Sequence, residues 1–213
     1  MKNSRRPELW GVVNVTPDSF SDGGLFLGAE AATAHALQMV EQGASVIDVG
    51  GESTRPGAAR ATPEEEIARV IPVVTALARA GVVVSIDTMR ASTATVAVDA
   101  GARIINDVSG GLADSEMFAA VAACDAEYVL MHWRGHSDQM DSLATYDDVV
   151  SEVSAEIHAR VSAATEAGID TARIIVDPGL GFAKTPAHNW SLLPHLSGLA
   201  PAGLRMVVGA SRK

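Results

Sequence analysis

Seven times along this 213-residue chain, a short β-branched or apolar run stops abruptly in a polar or glycine-rich cluster. Leu9 to Val15 runs into Asn14-Val15-Thr16-Pro17-Asp18, and Ser45 to Val49 into Gly50-Gly51-Glu52-Ser53-Thr54. Val82 to Ile86 ends in Asp87-Thr88, Arg103 to Ile105 in Asn106-Asp107, and Tyr128 to Met131 in His132-Trp133-Arg134. Arg173 to Val176 meets Asp177-Pro178-Gly179, and Met206 to Val208 meets Gly209-Ala210-Ser211. Near-continuous apolar runs of this length are what strands buried on both faces of a parallel sheet require.

Helical segments separate the runs. Thr62-Pro63-Glu64-Glu65 reads as an N-cap, a proline at the first helical position and an acid at the third. Ile67, Val70, Ile71, Val74, Leu77 and Ala78 then recur at helical spacing until Gly81, with Pro72 expected to kink the helix. Val149, Val150, Val153, Ile157 and Val161 mark another helix closed by Gly168; Thr185-Pro186 opens one more, and Gly43 and Gly101 end two others. Repeated strand–helix units allow an open doubly wound sheet or an α/β barrel of the TIM (β/α)8 type. The polar clusters favour the barrel, because nearly every strand carries one at its C-terminal end. An open sheet would gather them near one switch point.

The net charge of −10 and the 4% aromatic content argue against a nucleic-acid partner, which needs basic tracks and stacking platforms. A phosphate ligand would then have to be held by local cations or a metal. No apolar run approaches the roughly 20 residues of a membrane helix, and the polar stretch Met1 to Glu8 does not read as a secretory leader. The single cysteine, Cys124, excludes an internal disulfide and fits a reducing compartment. A cytoplasmic protein with no membrane partner is the expectation, organised as one domain over residues 1–213.

Five strand-end or chain-end side chains carry the chemistry: Asn14, Asp87, Asn106, Asp177 and Lys213. Two carboxylates, two amides and an ammonium around one pocket can read a planar heterocycle rich in N–H and C=O groups. A carboxylate accepts two parallel N–H bonds, and an amide both donates and accepts. A 2-amino-4-oxo pteridine ring has this pattern. The plainer reading is that Asp87 and Asp177 cap the helices that follow. The long loop 14–24 is polar and glycine-ended, suited to closing over a substrate. Gly51-Glu52-Ser53-Thr54-Arg55-Pro56-Gly57 offers amides, hydroxyls and a guanidinium suited to pyrophosphate or carboxylate, or is a solvated turn. Asp177 to Thr185 is partly like a phosphate loop but lacks the Walker spacing. Asp48 and Glu52 flank the second strand's end, where either is placed to order its neighbours. His132 and His136 lack the further ligand spacing of a zinc site, so structural roles are expected for them. Packing roles are expected for His188 and Trp190, and a core thiol at Cys124.

Several of these segments resemble, in order, the signatures of the dihydropteroate synthase family. They are Asn14 to Gly24, Glu52-Ser53-Thr54-Arg55-Pro56-Gly57, Ser85-Ile86-Asp87-Thr88, Asn106 to Gly111, Asp177 to Phe182, and Gly209-Ala210-Ser211-Arg212-Lys213. Met131-His132-Trp133-Arg134 is most similar to actinobacterial members. The resemblance implies an enzyme of folate biosynthesis, a transferase that condenses 6-hydroxymethyl-7,8-dihydropterin pyrophosphate with p-aminobenzoate. It implies that Asn14 helps hold Mg²⁺ and that Asp87, Asn106, Asp177 and Lys213 bind the pterin, with Met131 and Phe182 lining the slot. Thr54 would contact the pyrophosphate side. Phe20, Thr54, Arg55, Pro56, Phe182 and Ser211 would form the p-aminobenzoate site, where sulfonamides bind in the family. No residue acts as a covalent nucleophile.

Family members continue beyond the Ser-Arg-Lys segment through further helices and an eighth strand bearing an arginine and a histidine. A barrel truncated to about seven strands, lacking that strand and the last helices, is therefore expected here. The same helices commonly form the family's dimer contact, so a homodimer is expected of the full-length protein. Three other readings stay open at this point: a barrel methyltransferase with a pterin site, a non-catalytic pterin-binding paralogue or inactive fragment, and a purely structural barrel fragment.

Overall fold

The computed structural model describes residues 7–16, 24–52, 61–136 and 139–209. Seven parallel strands form one sheet in chain order: β1 Trp10–Asn14, β2 Val46–Gly50, β3 Val83–Asp87, β4 Ile104–Asp107, β5 Glu127–Met131, β6 Ile174–Asp177 and β7 Arg205–Met206. All seven coincide with the sequence-derived runs to within a few residues. β7 is the shortest, at two residues, although Val207 N still donates to Val176 O at 2.9 Å. The helices between them are α1 Gly24–Glu41, α2 Pro63–Arg79, α3 Ala91–Asp99, α4 Met117–Ala122, α5 Met140–Leu143, α6 Val149–Glu166, α7 Pro186–Leu192 and α8 Leu196–Leu199. Strands taken in sequence order with helices between them form the parallel barrel architecture expected, here with seven strands among the described residues.

Two cores hold it. Val46, Ile104, Val129 and Ile175, one from each of four strands, pack with Trp10 and Val207. They form a plug on one face of the curled sheet. The alternate residues Ile47, Val84, Ile86, Ile105, Tyr128, Leu130, Ile174 and Val176 face the helices. There they meet Val70, Val74 and Leu77 of α2 and Val153, Ile157 and Val161 of α6. Each such side chain contributes about 1.5–3 kcal/mol of transfer free energy, before the entropy of ordering is subtracted.

The capping signals act as the sequence implies, whereas Pro72 does not interrupt α2. Thr62 and Glu65 form a reciprocal capping box at the start of α2, and the helix runs unbroken through Pro72. Thr185 caps α7 with His188 as the reciprocal partner. His188 also meets the Tyr146 ring edge-on, whereas Trp190 is 73% exposed and does not pack as expected. Cys124 is half-buried, with its thiol near the Val121 carbonyl. No described helix is long and apolar enough to cross a membrane.

Candidate functional site

The register of the ladder gathers the polar strand ends. Asn14 pairs with Gly50, Gly50 with Asp87, Asp87 with Asn106, and Met131 with Asp177. Side chains alternate across a strand, so these residues share the plug's face and stand beyond it at the C-terminal ends. A Cβ built on Gly50 would lie 3.3 Å from both Asn14 Oδ1 and Asp87 Oδ2. Glycine there leaves one open space faced by an amide oxygen from β1 and a carboxylate oxygen from β3.

Asp48 lies one side-chain layer beneath. It is 6% exposed, and its Oδ2 accepts a 2.9 Å hydrogen bond from Nδ2 of Asn106. The bond turns the Asn106 amide so that its carbonyl end points away from Asp48. Asp48 Oδ1 and Ser85 Oγ, register neighbours on β2 and β3, are buried and find no hydrogen-bond partner within the usual distance among the described residues.

Burial raises the Asp48 carboxyl above its ordinary range. Asp87 is raised well above its own by burial, reinforced by repulsion from Asp48, Glu66, Asp107 and Glu52. Burial also raises Asp177 to about 6, against the opposing effects of the Gly179 amide and the Lys184 charge. Such a cluster of reluctant carboxylates favours a ligand that brings N–H donors or positive charge.

The helix-capping alternative fails for Asp87, since α3 is capped at Arg90 without a side-chain bond and Ala91 N donates instead to Asp114. Asp177 does hold its own turn, accepting from Gly179 N at 2.7 Å through Oδ1. Met131 is 3% exposed at the end of β5, beside Asp177. Phe182 is half-buried in the turn after β6. Thus Asn14, Asp87, Asn106, Met131 and Asp177 converge, and Phe182 follows in the adjoining turn. Phe20, Thr54, Arg55, Pro56, Ser211 and Lys213 lie outside the described residues.

Two supporting networks were not foreseen. Arg90 Nη1 bonds both Glu52 at 2.6 Å and the buried Glu66 at 2.5 Å, and Nη2 donates to Ala61 O at 2.7 Å. One guanidinium thereby joins residues 52 and 61, on either side of the segment carrying Thr54 to Pro56. Beyond β5, His132 is buried between Glu156, at 2.9 Å from Nε2, and Lys184, whose Nζ is 2.8 Å from Nδ1. His136 instead meets Trp133 edge-on, and no group of three or more His, Cys, Asp or Glu suited to a metal occurs among the described residues. Neither network has a sequence signature, because each joins residues between 24 and 52 positions apart through folded contacts.

The described fold is a parallel α/β barrel whose strand ends gather acceptors for N–H donors, and the chain belongs to the pterin-binding enzyme family. The family's model, described as pterin binding enzyme, matches residues 10–213. Among individual relatives, the dihydropteroate synthase of Mycobacterium leprae is 52% identical over 97% of this chain and 73% of its own. A Xanthomonas albilineans dihydropteroate synthase solved in complex with 7,8-dihydropteroate superposes with a TM-score of 0.84 at 43% identity, covering 98% of this chain and 74% of that one. A Yersinia pestis dihydropteroate synthase solved with a sulfonamide drug gives 0.90 at 42% identity, covering 98% and 76%.

Proposed function

We propose that this chain is a transferase of folate biosynthesis that joins 6-hydroxymethyl-7,8-dihydropterin pyrophosphate to p-aminobenzoate, giving 7,8-dihydropteroate and pyrophosphate. The observation that carries the reading is the convergence of Asp87, Asn106 and Asp177 at the ends of β3, β4 and β6 over a buried Asp48. That arrangement belongs to a chain of the pterin-binding family.

Asp87 and Asp177 supply acceptors for the ring's N–H groups, and Asn106 presents the carbonyl end of an amide oriented by Asp48. Met131 offers an apolar wall. Fixing the ring fixes its exocyclic CH₂ toward the open mouth of the strand ends. The C–O bond to pyrophosphate breaks with both electrons leaving on oxygen. The electron-rich ring spreads the positive charge left on carbon. The p-aminobenzoate nitrogen then forms the new C–N bond and gives up a proton. No protein nucleophile takes part, so rate enhancement rests on orientation, leaving-group stabilisation and exclusion of water.

Asn14 suits a Mg²⁺ ion in type: its Oδ1 is a hard oxygen donor facing the space above Gly50. Mg²⁺ commonly binds through one or two protein oxygens, with substrate phosphate and water completing the shell, so a lone amide oxygen is compatible. When bound, the ion would neutralise charge on the departing pyrophosphate. Thr54 is assigned to the pyrophosphate, and Phe20, Thr54, Arg55, Pro56, Phe182 and Ser211 to the p-aminobenzoate and sulfonamide pocket. Lys213 is assigned to the pterin. These roles rest on the family resemblance of their segments. A cytoplasmic location is supported by the lone cysteine, which fits a reducing compartment. A homodimer rests on the family resemblance alone.

The deciding experiment is Mg²⁺-dependent pyrophosphate release from the pterin pyrophosphate, with and without p-aminobenzoate, using the 213-residue chain. Release coupled to dihydropteroate formation supports the reading. Pterin binding with no turnover by the folded chain would instead favour a binding protein.

A further inference from the structure

The turn from β6 into α7 is wound tightly. Gly179 has φ 65° and Gly181 φ 80°, and Ala183, which is not glycine, has φ 46°. A run of left-handed residues that includes an alanine persists only where its surroundings hold it. The principal holder is Lys184, 8% exposed. Its Nζ reaches Gly179 O at 3.0 Å, Phe182 O at 3.1 Å and His132 Nδ1 at 2.8 Å. An ammonium has three N–H donors, and three acceptors meet them. Burial lowers the Lys184 ammonium to about 7, opposed by the attraction of Asp177.

The contact to His132 fixes that ring. Burial first, together with the Lys184 charge, keeps the imidazole below its ordinary value. A neutral ring donating from Nε2 to Glu156 leaves Nδ1 to accept from Lys184. Glu156 is anchored in turn by Arg134, which also pairs with Glu152 at 2.9 Å and stacks 3.8 Å over the Tyr146 ring. Tyr146 OH donates to Ala183 O at 3.1 Å, closing the circuit on the same turn.

We propose that Lys184 is a positioning residue: its ammonium, seated on His132, Gly179 and Phe182, holds the β6–α7 turn in the shape that presents Asp177 and Phe182 to the pocket. It is not a phosphate ligand, because its three donors are already committed inside the protein. The inference rests on the function proposed above for its catalytic consequence, while the clamp itself is a property of the fold.

The test compares the unmodified chain with Lys184→Met and Lys184→Gln. Amide hydrogen exchange without ligand is read at Gly179 to Ala183, and KM for the pterin pyrophosphate and for p-aminobenzoate, together with binding of inorganic pyrophosphate, is read alongside. In Lys184→Met, exchange in the turn should rise about tenfold or more while β2 to β4 keep their protection. KM for the pterin substrate should rise at least about tenfold, with pyrophosphate binding unchanged. Lys184→Gln keeps two donors and should recover part of both effects. Should Lys184→Met not fold, Lys184→Gln carries the same comparison at smaller amplitude. Unchanged exchange in the turn, or a loosened turn with unchanged KM, overturns the proposal, as does weakened pyrophosphate binding with a rigid turn. Accelerated exchange in a chain that never binds pterin would establish the clamp and sink the proposed function instead.

Discussion

Asp48 on β2 and Asn106 on β4 stand on either side of β3, yet their side chains meet above Ser85 in a 2.9 Å hydrogen bond from Nδ2 to Oδ2. An asparagine amide free to rotate offers a ring either its donor or its acceptor end. With one N–H committed to Asp48, the oxygen end is presented.

Replacing Asp48 with Ala removes that constraint and leaves a cavity under the site. We expect kcat/KM for the pterin substrate to fall roughly 10- to 100-fold, the loss of a hydrogen bond to a charged group. KM for p-aminobenzoate should stay within about twofold, because this bond orients only the pterin-facing amide. Asp48→Asn, which keeps an acceptor within reach of Asn106, should lose less. Equal losses for both variants, measured by steady-state kinetics with each substrate varied, would remove the orienting role.

Gly50 sets the spacing between β1 and β3. Its alanine variant would place a methyl group 3.3 Å from Asn14 Oδ1 and Asp87 Oδ2, so both oxygens must shift by a few tenths of an ångström. The backbone there has no positive φ to forbid alanine. The chain should therefore fold, while pterin affinity drops by about tenfold or more, as small misplacements at a site do. The Mg²⁺ concentration giving half-maximal rate should rise as well. Isothermal titration with a pterin and a Mg²⁺ titration of the rate check the two effects separately.

Asp87 trades stability for recognition. Burial and the neighbouring carboxylates raise its folded pKa well above the unfolded value. A group shifted upward contributes stability that is full below its unfolded pKa, about 4, and lost as pH rises through its folded pKa. Asp87→Asn removes the charge and with it this loss. Its melting temperature should exceed that of the parent by roughly 3–8 °C at pH 8. The gap should shrink toward nothing near pH 4, while pterin binding is abolished at both. A variant no more stable than the parent at pH 8 would show that the buried Asp87 charge carries no stability cost.

What the sequence disclosed and what it hid divide along a physical line. Strands β2 to β6 were legible because burial on both faces demands continuous apolar runs, and β1 because its run is apolar although Val12 is exposed; their polar ends were legible because a barrel gathers them. α2 was legible from a capping box written within four residues, and the start of α7 from Thr185-Pro186. Asp87 and Asn106 sit at strand ends that the register brings together. Hidden were the contacts made only in the folded chain: Asp48 to Asn106, Arg90 bridging Glu52 and Ala61, and Lys184 to His132. Trp190 misled because an aromatic beside a capping signal reads as packing, whereas it points outward. Short helices such as α5 and α8 carry too few residues for a period to show.

Asp177 gives the site its acid limit. Its carboxyl, raised to about 6 by burial, must be ionised to accept two N–H bonds from a ring. Below that pH it holds a proton, and binding must first expel it. The kcat/KM for the pterin substrate should therefore fall as pH drops below about 6, approaching tenfold per pH unit. Ionised Asp177 is the binding form, so the loss lies on the acid side and not the alkaline one. Asp87, whose carboxyl burial and the neighbouring carboxylates also raise, steepens the decline where both groups titrate. Asp177→Asn should bind far more weakly at pH 8 yet lose one proton's worth of slope on the acid limb. A pH profile of kcat/KM for both chains reads the difference directly. Parallel acid limbs would show that Asp177 is not the group being titrated.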